Sequence, residues 1–505
     1  MRAKKIIQII MEEQQVKSDI NSLNTTEEGN VMKTMRNIAV TVALVLVLIT
    51  TGCGQGNNQG ANGSNAVAKK AWMVSLHYDT GPNAKAYYQK TATDSDGNTV
   101  LIWRQLNNGL YNIMVSVFNS SVGKWSEGVI ISSAGAGASA SPMAAMDSEG
   151  RAMAVWSQVS NKKLNVFASL YNPVNNKWGS PEIIDFAESI NSATPQVASD
   201  GNGGFVAVWS AYDYSKSRYT IFANRYDVES GTWEGATAID SPYGRGAYKP
   251  HMDFNPAGVI IVAWTQLDEM IPSVYVNTFD PGTLSWGTPT IIEHSHVTGA
   301  SSPVVAVNDK GDAVVAWYMK DGEYDSIYAN SFDRANETWR GARLIESLDG
   351  GDSYSQAVEV DASGNAIVVW EYDNGTSYNI YASAYDFRKD NWGAEVLLNA
   401  DEEGNAENPK IAMDSKGNAI AVWQHSSSNR TVKGASFKAG ANAWSAPESL
   451  SDELLKDSED HHAFLDSPES NAYEPKVYFD TKGRFIMNWR MTTPATDCIL
   501  VSVLE

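Results

Sequence analysis

The chain has 505 residues, a formal net charge of −21 and only two cysteines, Cys53 and Cys498. The charge argues against a nucleic-acid partner, because phosphate binding needs a basic surface. At 43% hydrophobic and 19% charged residues, most of the chain can bury a core.

Residues 1–31 carry Glu12, Glu13, Glu27 and Glu28, whereas export signals begin basic, so this stretch reads as a mis-assigned upstream extension. Met32 opens a better signal. Lys33 and Arg36 precede the apolar run Ile38 to Ile49, and Thr50-Thr51-Gly52-Cys53 follows. The run is too short to span a bilayer comfortably and has the layout of a secretory signal. Residues 32–52 are therefore expected to be a signal peptide. Residues 53–65, with the polar tract Gly54 to Asn65, are expected to be a flexible tether. The junction resembles a bacterial lipobox, with Thr50 where Leu is common. That resemblance implies cleavage before Cys53, lipid on its sulfur and a membrane-anchored place in a bacterial cell envelope. Gly54 in second place implies the outer membrane under Gram-negative sorting. A lipidated Cys53 leaves no intramolecular disulfide.

From Trp72 onward the sixteen tryptophans fall on two interleaved registers. One is Trp103, Trp156, Trp209, Trp264, Trp317, Trp370, Trp423 and Trp489; the other is Trp72, Trp125, Trp178, Trp233, Trp286, Trp339, Trp392 and Trp444. Steps in the first register are 53 or 55 residues until the last, which is 66. A fixed period of this size marks stacked supersecondary units.

Within one unit, Pro409 to Met413 reads as a strand, Asp414-Ser415-Lys416-Gly417 as a turn, and Asn418 to Trp423 as a second strand. Asp or Asn opens the same turn in all eight units, at 94, 147, 200, 255, 308, 361, 414 and 480, with Gly three residues on. The side chain hydrogen-bonds the backbone ahead and Gly takes positive φ; a calcium-ligand role for these residues is the weaker reading. A third strand alternates with period two, as in Ile380 to Tyr385. A fourth starts at the second Trp, as in Trp286 to Ile292. Four short antiparallel strands per repeat predict an all-β, eight-bladed β-propeller over residues 66–505. The last unit ends without a fourth strand, and Trp72 to Tyr78 is a fourth strand without a unit. Joining them closes the ring. The inner tryptophans are expected in the core between blades.

The pattern V-A-x-D-x-x-G-N-A-x-A-V-W resembles Trp-containing propeller repeats of exported bacterial proteins, a repeat family without an assigned function. Likeness to the sialidase Asp-box and the quinoprotein repeat is weaker, because their Asp, Gly and Trp spacings differ. Eight-bladed quinoprotein alcohol dehydrogenases are similar in blade number, and an eight-bladed outer-membrane assembly lipoprotein in blade number and anchoring, by analogy only.

The fourth-to-first and second-to-third connections share one face, and the repeats diverge just after each inner Trp. The ligand surface is therefore expected at Arg104, Asp268, Asp321, Tyr372, His425 and Arg490, on loops. Arg104 and Arg490 fall at equivalent places in adjoining blades, suited to a carboxylate or sulfate. Between Trp444 and Trp489 an acidic insertion, Ser451 to Glu474, contains Asp460, His461 and His462. These suit a divalent cation such as calcium, with a solvated acidic loop as the plainer reading. No other cofactor is implied, and no catalytic motif is visible. The leading expectation is a monomeric, lipid-anchored, non-catalytic module that binds a glycan, matrix polymer or protein. A polysaccharide-acting enzyme with channel carboxylates and a scaffold for envelope-protein assembly are the alternatives.

Overall fold

The computed structural model describes residues 74–76, 86–107, 109–134, 136–185, 189–268, 270–293, 299–400, 402–451, 471–480, 483–492 and 497–504. The extension, signal, tether and Cys53 lie outside these residues, as do Trp72 and Asp460, His461 and His462.

Eight antiparallel sheets form one ring, the eight-bladed propeller expected. Blade I runs from Ala86 to Ile130, II from Ser139 to Ile183, III from Ser189 to Ala238 and IV from Ala247 to Ile291. Blade V runs from Ala300 to Leu344, VI from Asp352 to Leu397, VII from Asn405 to Ser449 and VIII from Asn471 to Leu504. Val74–Leu76 supplies the outer strand of blade VIII, pairing Val74 with Val501 and Leu76 with Ile499. In blades I to VII the outer strand is interrupted. Ser285–Trp286 and Thr290–Ile291, for example, pair separately with the third strand.

The core consists of clusters that each span two neighbouring blades. Trp489 packs with Val422 and Val432 of blade VII, and Trp264 with Val208 and Ile221 of blade III. Trp103 packs with Ile486, Ile499 and Val501, which seals blade VIII to blade I. All eight inner indoles are at most 1% exposed, and area buried between blades drives closure. The seven described outer indoles are half-buried and lean on a third-strand ring, as in Tyr385–Trp392 at 5.0 Å and Phe332–Trp339 at 5.1 Å.

Each first turn behaves as its residues dictate. Asp414 Oδ1 accepts the N–H groups of Lys416 and Asn418 at 2.9 and 2.8 Å, and Gly417 sits at φ +85°. The carboxylates are thus occupied by the turn. Where Asn stands instead, its amide reaches the next blade. Asn255 Nδ2 donates to the Asn308 carbonyl at 3.2 Å, and Asn308 Nδ2 to that of Asp361 at 2.9 Å.

Every inner strand also carries a bulge not expected from sequence. Tyr88, Ser141, Thr194, Lys249, Ser302, Ser355, Asn408 and Glu474 all have φ between 51° and 56°. Proline follows in six blades. In the other two, Gln89 and Gln356 donate to the bulge carbonyl of the preceding blade, Glu474 at 2.7 Å and Ser302 at 2.5 Å. The bulge turns the first residues of the strand outward and leaves the rest to line the channel.

Candidate functional site

The residues after each inner Trp are strand, not loop, which corrects the expectation above. The second residue past the Trp points into the blade. Gln105, Gln158 and Gln266 accept the indole N–H of Trp103, Trp156 and Trp264 at 2.8, 3.1 and 3.0 Å. Tyr372 and His425 occupy the same place and are only 7% and 4% exposed. Tyr372 Oη donates to the Asp349 carbonyl at 2.9 Å. His425 lies 3.7 Å from Glu402, which Lys433 pairs with at 2.5 Å, and burial lowers the imidazole pKa. Both residues pin loops from beneath. Asp268 and Asp321 end the second strands of blades IV and V at the upper hairpins, half-buried and exposed respectively.

The first residue past the Trp reaches sideways. Ser157 Oγ donates to the Ser192 carbonyl at 3.2 Å, Ser210 Oγ to that of Ala247 at 3.1 Å, and Glu371 accepts the Asn408 N–H at 2.8 Å. Arg490 makes the same crossing with a guanidinium, 4.4 Å from the ring centre of Tyr87 in blade I and 5.3 Å from that of Tyr473. Arg104 lies 3.6 Å over Tyr111 and 6.0 Å from Tyr88. Arg430 lies 5.2 Å from Tyr473. Tyr87 is the strand partner of Arg104 and packs 6.2 Å from Tyr111. The three arginines are thus joined through tyrosines into a ladder across blades VII, VIII and I. A guanidinium stacked on a ring is held by its face, and its N–H edge remains the part that recognises an oxyanion.

A second aromatic group lies on the same face at blades III and IV. Tyr212 meets Tyr214 and Tyr219 edge-on, each at 5.4 Å, and Tyr219 meets Tyr248 at 5.1 Å. Tyr214 is 58% exposed, and Tyr243, on the adjoining link, is 92% exposed. Rings this open are suited to the C–H face of a sugar. Arg430, Tyr473, Tyr87 and this group escaped sequence reasoning. The only signal was tyrosine at blade ends, which periodicity treats as irregularity.

Below this face the channel changes character. Lys90, Lys410 and Lys476, with His251, take equivalent inner-strand positions, each opposite the residue before the inner Trp. Two residues deeper stand Asp253 and Glu359. Burial raises the Asp253 pKa to about 6, even though its Oδ2 accepts the Val307 N–H at 2.7 Å. Burial and then Asp253 push Glu359 up. Among the described residues, no group of three or more His, Cys, Asp or Glu is placed to hold a metal.

No protein-family model matches this sequence, and no characterised protein is similar to it in sequence. Solved structures that are similar to it lie at low identity and with TM-scores below 0.5. A protein of unknown function from Dyadobacter fermentans is 12% identical, with 86% of this chain and 97% of that one covered and a TM-score of 0.42. A PL25 ulvan lyase is 9% identical, with 72% and 91% covered and a TM-score of 0.47. The β-propeller domain of the trilobed protease from Pyrococcus furiosus is 11% identical, with 73% and 96% covered and a TM-score of 0.41.

Proposed function

We propose that this propeller is a non-catalytic module that binds an acidic polysaccharide across its upper face, tethered to a bacterial envelope through lipid on Cys53. The observation that carries the reading is the arginine–tyrosine ladder of Arg430, Arg490 and Arg104. Stacked guanidiniums suit the carboxylates or sulfates of such a polymer. The open tyrosines across the channel mouth suit its sugar rings. Export with a lipid anchor rests on the Lys33 to Cys53 segment and is checked by mass spectrometry of the mature N-terminus.

The test uses the full chain with immobilised dextran sulfate, polygalacturonate and neutral dextran. Binding to the acidic polymers, weakening with salt, is expected. The double variant Arg104→Ala/Arg490→Ala should lose about tenfold or more in affinity, with its melting temperature within about 2 °C of the parent. Undiminished binding by that variant removes the ladder as the site. A polysaccharide-acting enzyme is the second reading, favoured by Asp253 and Glu359, whose pKa values are raised in the channel as a general acid requires. New reducing ends on long incubation establish that reading in place of the first.

A further inference from the structure

Blades VII, VIII and I each direct one lysine into the channel from the same height. Lys410, Lys476 and Lys90 pair across their strands with Val422, Asn488 and Ile102, the residues that precede Trp423, Trp489 and Trp103. The other blades have Met143, Gln196, His251, Val304 and Ala357 there. Among the described residues none of the three ammonium groups is in an ion pair; Lys410 Nζ donates at 2.7 Å to the carbonyl of its neighbour Pro409. They repel one another. Lys410 is lowered to about 8 by burial and then by Lys90, and Lys476 falls well below its usual value through burial, Lys410 and Lys90. The acids in electrostatic reach are Glu474, for Lys90 and Lys476, and Glu371, for Lys410. His251, from blade IV across the channel, feels Lys90 and Lys410 and is lowered to about 4, mainly by burial. Its Nδ1 accepts the Val305 N–H at 3.2 Å, which leaves Nε2 as the atom that carries a proton.

Three converging lysines with no carboxylate in direct ion-pair contact are costly as they stand, and each remains partly open to the channel. We infer that the channel holds a binding site for a single multivalent oxyanion, with Lys90, Lys410 and Lys476 on one wall and His251 on the other. The chemistry is that of sulfate, phosphate or the acid group of a larger molecule. Asp253 and Glu359 stand one level deeper, where burial and, for Glu359, Asp253 raise their pKa values. This site stands independently of the polysaccharide reading, because it uses none of the face residues.

Melting of the full chain is measured with millimolar sodium sulfate or phosphate, against sodium chloride at equal ionic strength. Sulfate and phosphate should raise the melting temperature by roughly 3 °C at about a hundredfold excess over Kd. Lys410→Met/Lys476→Met should abolish that rise, while Arg104→Ala/Arg490→Ala should retain it. Calorimetric titration at pH 8.5 in buffers of different ionisation heat should show proton uptake by the parent, because an anion restores charge to the lysines. If dextran sulfate displaces inorganic sulfate in this titration, the occupant is an acid group of the polymer; if not, it is a free ion. An equal rise in the lysine variant, or no excess over chloride in the parent, overturns the proposal.

Discussion

Blades VII, VIII and I differ from the arc opposite them in several independent ways. In blades II to VI the inner Trp stacks on a third-strand ring, as Trp156 on Phe167 and Trp264 on Tyr275, both 6.0 Å apart. In blades I, VII and VIII its strand partner is Met114, Lys433 or Leu500. The same three blades carry the channel lysines and the arginine ladder. The residue two positions past the outer strand differs as well. It is Asp185, Asp240, Glu293 and Glu346 in blades II to V, but Ser132, Asn399 and Ser451 in I, VI and VII. In blades I, IV, V, VI and VII it accepts a third-strand N–H, as Glu346 does from Ile327 at 3.0 Å and Ser451 from Val432 at 3.1 Å, whereas Asp240 of blade III pairs with Arg218 at 2.9 Å. The scaffold needs only an acceptor at this position, so charge is free to differ around the ring. One arc has become basic and the other acidic while the backbone stayed the same.

The largest test of this contrast removes residues 66–78. Blade VIII then loses its outer strand, and the basic arc has no closure. A loss of about 5 kcal/mol or more is expected in urea unfolding, a large part of the stability of such a fold. A truncated chain that melts like the parent would show that the arc holds itself together.

The opposite arc has its own weak point on the lower face. A Cβ on Gly258, at φ +83°, would lie 1.8 Å from the Asp200 carbonyl oxygen of blade III. Gly258→Ala should cost about 3 kcal/mol or more, measured by the same unfolding. A small loss would mean that the two turns part without consequence.

Charge in the acidic arc gives a pH signature. Burial holds Glu346 at about 7, above its ordinary 4.5, although Ser353 and the Ile327 N–H stabilise its anion. Stability from this group is fully present below pH 4.5 and disappears as pH rises through 7. The loss is on the order of 3 kcal/mol. Glu346→Gln should remove that share of the fall between pH 5 and pH 8. Unfolding curves of equal slope for variant and parent would contradict it.

The smallest test gives blade II the pairing found in blade VIII. Phe167→Leu should cost about 1 kcal/mol through the lost ring stack. No measurable cost would reduce the aromatic difference between the arcs to side-chain choice.

The fold was legible because its determinants repeat. Sixteen tryptophans and eight Asx–Gly turns give the period, and the orphan strand before Tyr78 gives the closure. The inner-strand bulge was less visible: six prolines mark it, but Gln89 and Gln356 break the pattern by using a side-chain amide. The site was legible only in part. Arg104 and Arg490 stand out as charges at a repeat position. Tyr372 and His425 looked equally variable, yet their direction depends on strand register, which continues past the Trp and turns every second residue inward. Lys90, Lys410 and Lys476 are far apart in sequence and look like ordinary lysines until the ring brings three blades together.

The ladder that joins Val74–Leu76 to Ile499–Val501 also sets an order of events. Every other strand pair among the described residues lies within one repeat and can form as soon as that repeat exists. This one joins segments near opposite ends of the sequence, so its loop-closure entropy cannot be offset until the seven earlier blades are stacked. Refolding should therefore end in a late step in which blade VIII, still carrying an open edge, meets the strand that has waited since the start. During that interval the open edge is available to the same strand of a second molecule, and a crowded refolding mixture should yield strand-exchanged oligomers as its characteristic by-product.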